Sequence, residues 1–185
     1  ESIKVDDLVL SSNVVCETFG NAKTIHNNNS SRFGKYLTLH FDLQSKCIDS
    51  CGIHHFLLEK TRVVHHSMGE RNYHSFYQMI HGASKLQKKE WKLLNINEYN
   101  YLIGKEDISS PNGPRRGGKK KRKKILNNQN GGNDADNDAI QMQRDLDVAN
   151  FNRTLRCLSD IGFSTKEIHH IFQLLNSILM LGNLT

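Results

Sequence analysis

The sequence predicts a mixed α/β fold in which helices surround two adjacent antiparallel strands. Three observations carry that expectation. Leu37, Leu39, Phe41 and Leu43 alternate with Thr38, His40 and Asp42, the period of a half-buried strand. Tyr73, Phe76, Tyr77 and Ile80 fall at i, i+3, i+4 and i+7, the apolar stripe of an amphipathic helix. Ser164 and Glu167 stand three apart just before an apolar run, the pattern of a helix capping box.

Taken in order, residues 3–19 have the apolar spacing of a helix, and Gly20 suits a left-handed terminal position. A polar loop follows, running Asn27-Asn28-Asn29-Ser30-Ser31-Arg32-Phe33-Gly34-Lys35. Residues 35–43 are the first strand. Turn-rich residues 44–52 then lead to a second, longer strand over 53–64, and the short connection favours an antiparallel hairpin. A helix over 73–82 closes at Gly82, whereas 85–103 carry Trp91, Tyr99 and Tyr101 with no clear period. Residues 105–139 are poor in apolar side chains. They form a basic, Asn-rich insertion expected to be disordered, because it buries too little surface to offset its chain entropy. Phe151, Leu155, Leu158 and Ile161 mark a helix ended by Gly162, and Ile168, Phe172, Leu175 and Leu179 mark the last helix, to Gly182. Helix, loop, two strands, helix, insertion and two helices together read as a slice of a larger mixed domain.

The net charge of +6 looks like a nucleic-acid footprint until it is located. Eight positive charges, from Arg115, Arg116 and Lys119 to Lys124 with Arg122 among them, lie within ten residues; without them +6 becomes −2. The basic balance therefore belongs to one insertion, and a nucleic-acid partner for the whole domain is disfavoured. No apolar run approaches the roughly 20 residues that span a bilayer, and no basic-then-apolar leader can be read. Cys16, Cys47, Cys51 and Cys157 are scattered as reduced thiols of a cytosolic protein would be. Cys47, Cys51, His54 and His55 nominally offer four zinc ligands, but adjacent histidines on a strand face opposite ways.

The loop over 27–35 concentrates the chemistry. It holds two adjacent hydroxyls, three carboxamides and a guanidinium ahead of a strand that anchors it. Such a loop can offer neutral donors and a fixed cation to phosphate oxygens, and a serine hydroxyl to a hydrated metal ion. Taken alone, it is equally an ordinary Asn/Ser turn.

Three blocks in order give it context. Cys16-Glu17-Thr18-Phe19-Gly20-Asn21-Ala22-Lys23-Thr24 runs on to Asn29-Ser30-Ser31-Arg32-Phe33-Gly34-Lys35. Leu57-Leu58-Glu59-Lys60-Thr61-Arg62-Val63-Val64 precedes Gly69-Glu70-Arg71-Asn72-Tyr73-His74-Ser75-Phe76-Tyr77-Gln78. Asp160-Ile161-Gly162-Phe163-Ser164 precedes Leu181-Gly182-Asn183-Leu184. In these blocks the chain resembles the myosin motor domain, over nearly all its length except about residues 102–145. The resemblance implies a fragment of a P-loop NTPase-type fold whose two antiparallel strands belong to a central sheet. It implies that the 27–32 loop is switch I, which closes over Mg·ATP.

On that basis Ser31 supplies a hydroxyl to Mg²⁺, Ser30 lies beside the γ-phosphate and the attacking water, and Asn27 contacts the phosphate chain. Arg32 corresponds to the arginine that pairs with a switch II glutamate on closure. The implied cofactors are ATP and Mg²⁺; the implied partners are actin filaments, with light chains in the full protein. The implied location is the actin cytoskeleton of the cytoplasm. Two parts of such a site are missing from the sequence. No G-x-x-x-x-G-K-S/T loop occurs, since Gly20-Asn21-Ala22-Lys23-Thr24 lacks the glycine before the lysine, and no switch II Asp-x-x-Gly segment is present. The expectation is a partial motor domain over 1–185, with half an active site and no activity of its own. The competing reading is a non-catalytic, motor-like scaffold with the basic insertion as a binding arm.

Overall fold

The computed structural model describes residues 5–103 and 134–184. Helix α1 (Val5–Gly20) carries Asp6 and Asp7 in its first turn, where carboxylates meet the positive end of the helix dipole. Its end differs in cause from the expectation. Gly20 is not in the left-handed region; a Cβ there would lie 2.4 Å from the Phe33 ring, so close approach is what demands glycine. The chain then makes two short strands, β1 (Asn21–Ala22) and β2 (Ser30–Ser31), paired antiparallel with Ala22 opposite Ser30.

Strand β3 (Gly34–Phe41) covers most of the expected 35–43 but stops short of Leu43, which is 93% exposed, and it pairs antiparallel with β4 (Ile48–Phe56). The hairpin is as expected, but the second strand is earlier than the expected 53–64. Leu57 breaks it: its φ of 56° leaves the extended region, and residues Lys60–Val63 wind into a 3₁₀ helix. The segment Leu57 to Val64 is thus a turn and a helix, and Leu57 itself is 86% exposed.

Helix α2 (His74–Gly82) is buried along most of its length, and α3 (Lys85–Glu90) begins at a Ser84/Gln87 capping box. A 3₁₀ turn over Ile96–Glu98 follows. Helix α4 (Asp134–Asp160) starts well ahead of Phe151, the first residue expected to mark it, and ends as expected just before Gly162, which takes a φ of 99°. The anticipated disordered insertion over 105–139 lies outside the described residues as far as 133. Its last part, 134–139, stands in α4. Helix α5 (Thr165–Leu181) starts at the predicted box, with Ser164 accepting from the Glu167 N–H and Glu167 accepting from the Ser164 N–H.

The core forms where α2, α4, α5 and the 84–102 segment meet. Trp91 stacks on Phe172 at 5.1 Å, and Phe151 meets both rings edge-on. Buried polar groups inside this core are paired. Asn176 donates to the Trp91 carbonyl and accepts from the Tyr99 hydroxyl at 2.6 Å, and Asn72, wholly buried, bonds Val63, Tyr73 and Tyr101 backbone. Helix α4 also packs along α1, where Thr18, Thr154 and Gln78 share one buried hydroxyl–amide network. The helical layer therefore holds α1, and α1 delivers the chain to β1 and the polar loop. No helix among the described residues is long and apolar enough to cross a membrane.

Candidate functional site

The loop from Lys23 to Asn29 is closed at its base by the β1–β2 pair, and Ala22 also bridges to Tyr73. Its interior is a hydrogen-bonded turn built by short polar side chains, each able to mimic a backbone partner. Thr24 Oγ1 accepts from the Asn27 N–H and lies 2.9 Å from Ser30 Oγ, while Asn27 Oδ1 accepts from the Asn29 N–H at 2.8 Å. Asn29 is fixed from beneath, its Oδ1 accepting from Asn21 Nδ2 at 3.0 Å. His74 Nε2 lies 3.1 Å from the same oxygen, which makes Nε2 the protonated ring nitrogen. Burial, and then the nearby Arg71 charge, push the His74 pKa down, which favours the neutral ring; the contact itself needs only the proton on Nε2.

Asn27 and Ser30 thus belong to one bonded turn joined through Thr24. Ser31, next on β2, faces the other way and is exposed. Its hydroxyl donates to the Phe33 carbonyl at 2.8 Å, which commits its proton and leaves its lone pairs directed elsewhere. The Asn27 carboxamide is placed comparably: its oxygen is engaged by Asn29, and its NH₂ makes no hydrogen bond among the described residues. Asn21 Oδ1 is buried with no partner among those residues, an orphan acceptor at the foot of the loop.

Arg32 turns away from the loop to a partner that sequence reasoning missed. Its Nε donates to Glu59 Oε2 at 2.6 Å, and its backbone is held at both ends, by the Gly20 carbonyl and the Glu59 N–H. The same Glu59 oxygen accepts from Arg62 Nε at 2.8 Å; Arg62, 4% exposed, also donates to Glu70 and to the Arg71 carbonyl. Burial opposes ionisation of Glu59, but the hydrogen bonds from Arg32 and Arg62 outweigh it and hold its carboxyl below the usual range. The spacing of Glu59 and Arg62 as i and i+3 is a signal for this pair. It was obscured by reading the segment as a strand.

A second charged cluster anchors the other side. Arg71 donates its N–H to the Lys23 carbonyl, lays its guanidinium 3.8 Å over the Tyr77 ring and grips Asp147 of α4 with two nitrogens, the shorter at 2.6 Å. His81 Nδ1 reaches the same carboxylate at 2.9 Å. Asp147 is 2% exposed; burial would raise its pKa, but hydrogen bonds from His81 and Arg71 win and hold it low. Between α1, the loop, α2 and α4 lies a groove of about 630 Å³ lined by Glu17, Asn28, Asn29, Arg71 and His74 among others. The described residues contain no group of three or more His, Cys, Asp or Glu side chains placed to hold a metal ion, so Cys47, Cys51, His54 and His55 do not assemble one. On the hairpin, Cys51 pairs with Leu39 and His54 with Tyr36.

Comparison with known proteins gives one consistent family. The model of the myosin head (motor domain) matches residues 1–185. Myosin-51 of Schizosaccharomyces pombe is 39% identical over 181 residues, 97% of this chain and 10% of that protein. The myosin IA heavy chain of Dictyostelium discoideum is 36% identical over 98% of this chain and 15% of its own length. The unconventional myosin-Ia of Mus musculus is 37% identical over 97% and 14% respectively. The chain therefore spans only a small part of these relatives.

Proposed function

This chain belongs to the myosin head family, and on that premise we propose that its 27–32 loop is the switch I segment of an actin-based motor ATPase. One observation carries the reading. A bonded turn, clamped at its base by β1 and β2, presents an uncommitted carboxamide NH₂ at Asn27 and hydroxyl lone pairs at Ser31. That donor set fits the group: hydroxyl oxygen suits a hard divalent cation, and a neutral N–H donor suits a phosphate oxygen. When bound, Mg·ATP supplies the scissile anhydride and the cation's charge.

The residues of this chain divide the remaining work. Ser31 would ligate Mg²⁺ through its free lone pairs, with its O–H still donated to the Phe33 carbonyl. Asn27 would hold a phosphate oxygen, and Ser30, fixed by Thr24, would orient the attacking water. Arg32 would pair with a carboxylate of another segment as the site closes. Positioning and electrostatics suffice for phosphoryl transfer, and no covalent nucleophile is required. Because the sequence has no phosphate-cradling G-x-x-x-x-G-K-S/T loop, these residues form one wall of the site. Alone they would neither bind ATP tightly nor hydrolyse it. Actin binding, light chains and residence on the cytoplasmic actin cytoskeleton would belong to the full protein.

The test uses the full-length protein and a fluorescent ATP analogue titrated at varied Mg²⁺. Ser31→Ala is expected to weaken the Mg²⁺ dependence of binding by about tenfold, as loss of one ligand to the ion would. Asn27→Ala should weaken nucleotide binding at every Mg²⁺ concentration. Wild-type behaviour from both variants would refute the assignment.

A further inference from the structure

The partnership of Arg32 and Glu59 is asymmetric. Arg62 is buried and committed to three acceptors: Glu59, Glu70 and the Arg71 carbonyl. Arg32 is about a third exposed, with its side chain held through Nε alone. Its two terminal NH₂ groups have no hydrogen-bond partner among the described residues. A guanidinium bonded at Nε keeps its Nη1/Nη2 edge available, and that edge matches the two oxygens of a carboxylate. Main-chain contacts hold the same geometry, since the Arg32 carbonyl accepts from the Glu59 N–H at 2.9 Å and the Glu59 carbonyl accepts from the Tyr73 hydroxyl at 2.6 Å. Arg62 also supplies Glu59 with a permanent counter-charge, so Glu59 stays ionised whether or not Arg32 is drawn toward another anion.

We infer that Glu59 is a positioning residue for Arg32, fixing the guanidinium plane through Nε so that its terminal fork faces a carboxylate arriving from another segment. The inference rests on the reading of Arg32 as the arginine that pairs on closure. It adds the side chain that aims it. Without Glu59, Arg32 keeps its charge but loses its direction, and its orientation must be fixed anew in every cycle. Ordering of that kind is felt in the chemical step and little in ground-state binding.

The experiment compares R32A, E59A, E59Q and the double variant R32A/E59A in the full-length protein. It reads fluorescent-nucleotide affinity and single-turnover ATP hydrolysis. E59A is expected to slow hydrolysis about tenfold with affinity within about twofold of wild type. E59Q, whose amide oxygen still accepts from Nε, should recover to within about threefold of wild type. In the R32A background, removing Glu59 should change nothing further, because the two act as one unit. Three outcomes would overturn the inference: unchanged hydrolysis in E59A, E59Q as slow as E59A, or an E59A effect that persists without Arg32. If R32A itself hydrolyses ATP normally, the closure reading of Arg32 fails and the inference goes with it. Failure confined to the Glu59 variants leaves that reading standing.

Discussion

Replacing Arg71 by methionine would test whether the junction between the loop and α4 is held by charge. Methionine keeps most of the volume over the Tyr77 ring and removes both donors to Asp147. The two side chains are 15% and 3% exposed, so solvent screening of the pair is slight. Removing one member of a buried pair costs about 3–5 kcal/mol, since the survivor is left uncompensated. His81 still bonds Asp147 in the variant, which places the expected loss near the lower end, about 3 kcal/mol. At roughly 1.4 kcal/mol per tenfold, amide protection in α2 and the middle of α4 should fall about a hundredfold. Hydrogen–deuterium exchange read by mass spectrometry measures that directly. The sign with pH follows from the carboxyl. The folded pKa of Asp147 is depressed, so its contribution is complete above the unfolded value near 4 and is lost as pH falls through the folded one. Acid sensitivity of these peptides below about pH 4 should therefore flatten in Arg71→Met. The paired variant Arg71→Met/Asp147→Leu should regain most of the loss. A fall in protection of less than fivefold in Arg71→Met would refute the reasoning.

Other outcomes are equally specific. Ser164→Ala removes the side-chain acceptor of the α5 capping box and should cost about 1 kcal/mol, seen as faster exchange in the first turn of α5 and a lower Tm. Gly82→Ala places a Cβ 2.4 Å from the Cβ of Phe151, and overpacking of that kind should destabilise by about 1–3 kcal/mol in thermal unfolding. His169→Ala leaves the Trp91 indole N–H without its 2.9 Å acceptor; because Trp91 is the single tryptophan, a shifted intrinsic emission together with a loss of about 1 kcal/mol should report it.

Local rules were legible where local physics decides. The strand marked by Leu37, Leu39 and Phe41 and the Ser164/Glu167 box each depend on residues within a few positions, and both elements form, although Phe41 and Leu43 are exposed where the alternation placed them on a buried face. The second strand was misplaced because Leu57 to Val64, apolar at both ends and polar between, has no clear period, and the backbone reversal at Leu57 leaves no mark in composition. The start of α4 was missed because Asp134 to Asp138 resembles the Asn-rich stretch before it in polarity. Within the candidate site, Asn27, Ser30, Ser31 and Arg32 stood out as a contiguous polar loop. Glu59 and Asp147 did not, since each acquires its role from an arginine distant in sequence: Arg32 lies 27 residues from Glu59, and Arg71 lies 76 residues from Asp147. Pairings at that separation are a product of the fold and have no local pattern.

The β3–β4 hairpin carries a consequence for handling this polypeptide. It stands as a ribbon of two strands with Tyr36 and Phe41 63% and 59% exposed, and neither strand has a second neighbour among the described residues. Each outer flank offers a row of unmatched amide and carbonyl groups beside aromatic side chains, a template on which another extended chain can dock. Expressed without the rest of a motor domain, these residues should therefore self-associate through the hairpin. A charged substitution at Tyr36 or Phe41 is the direct way to keep them monomeric.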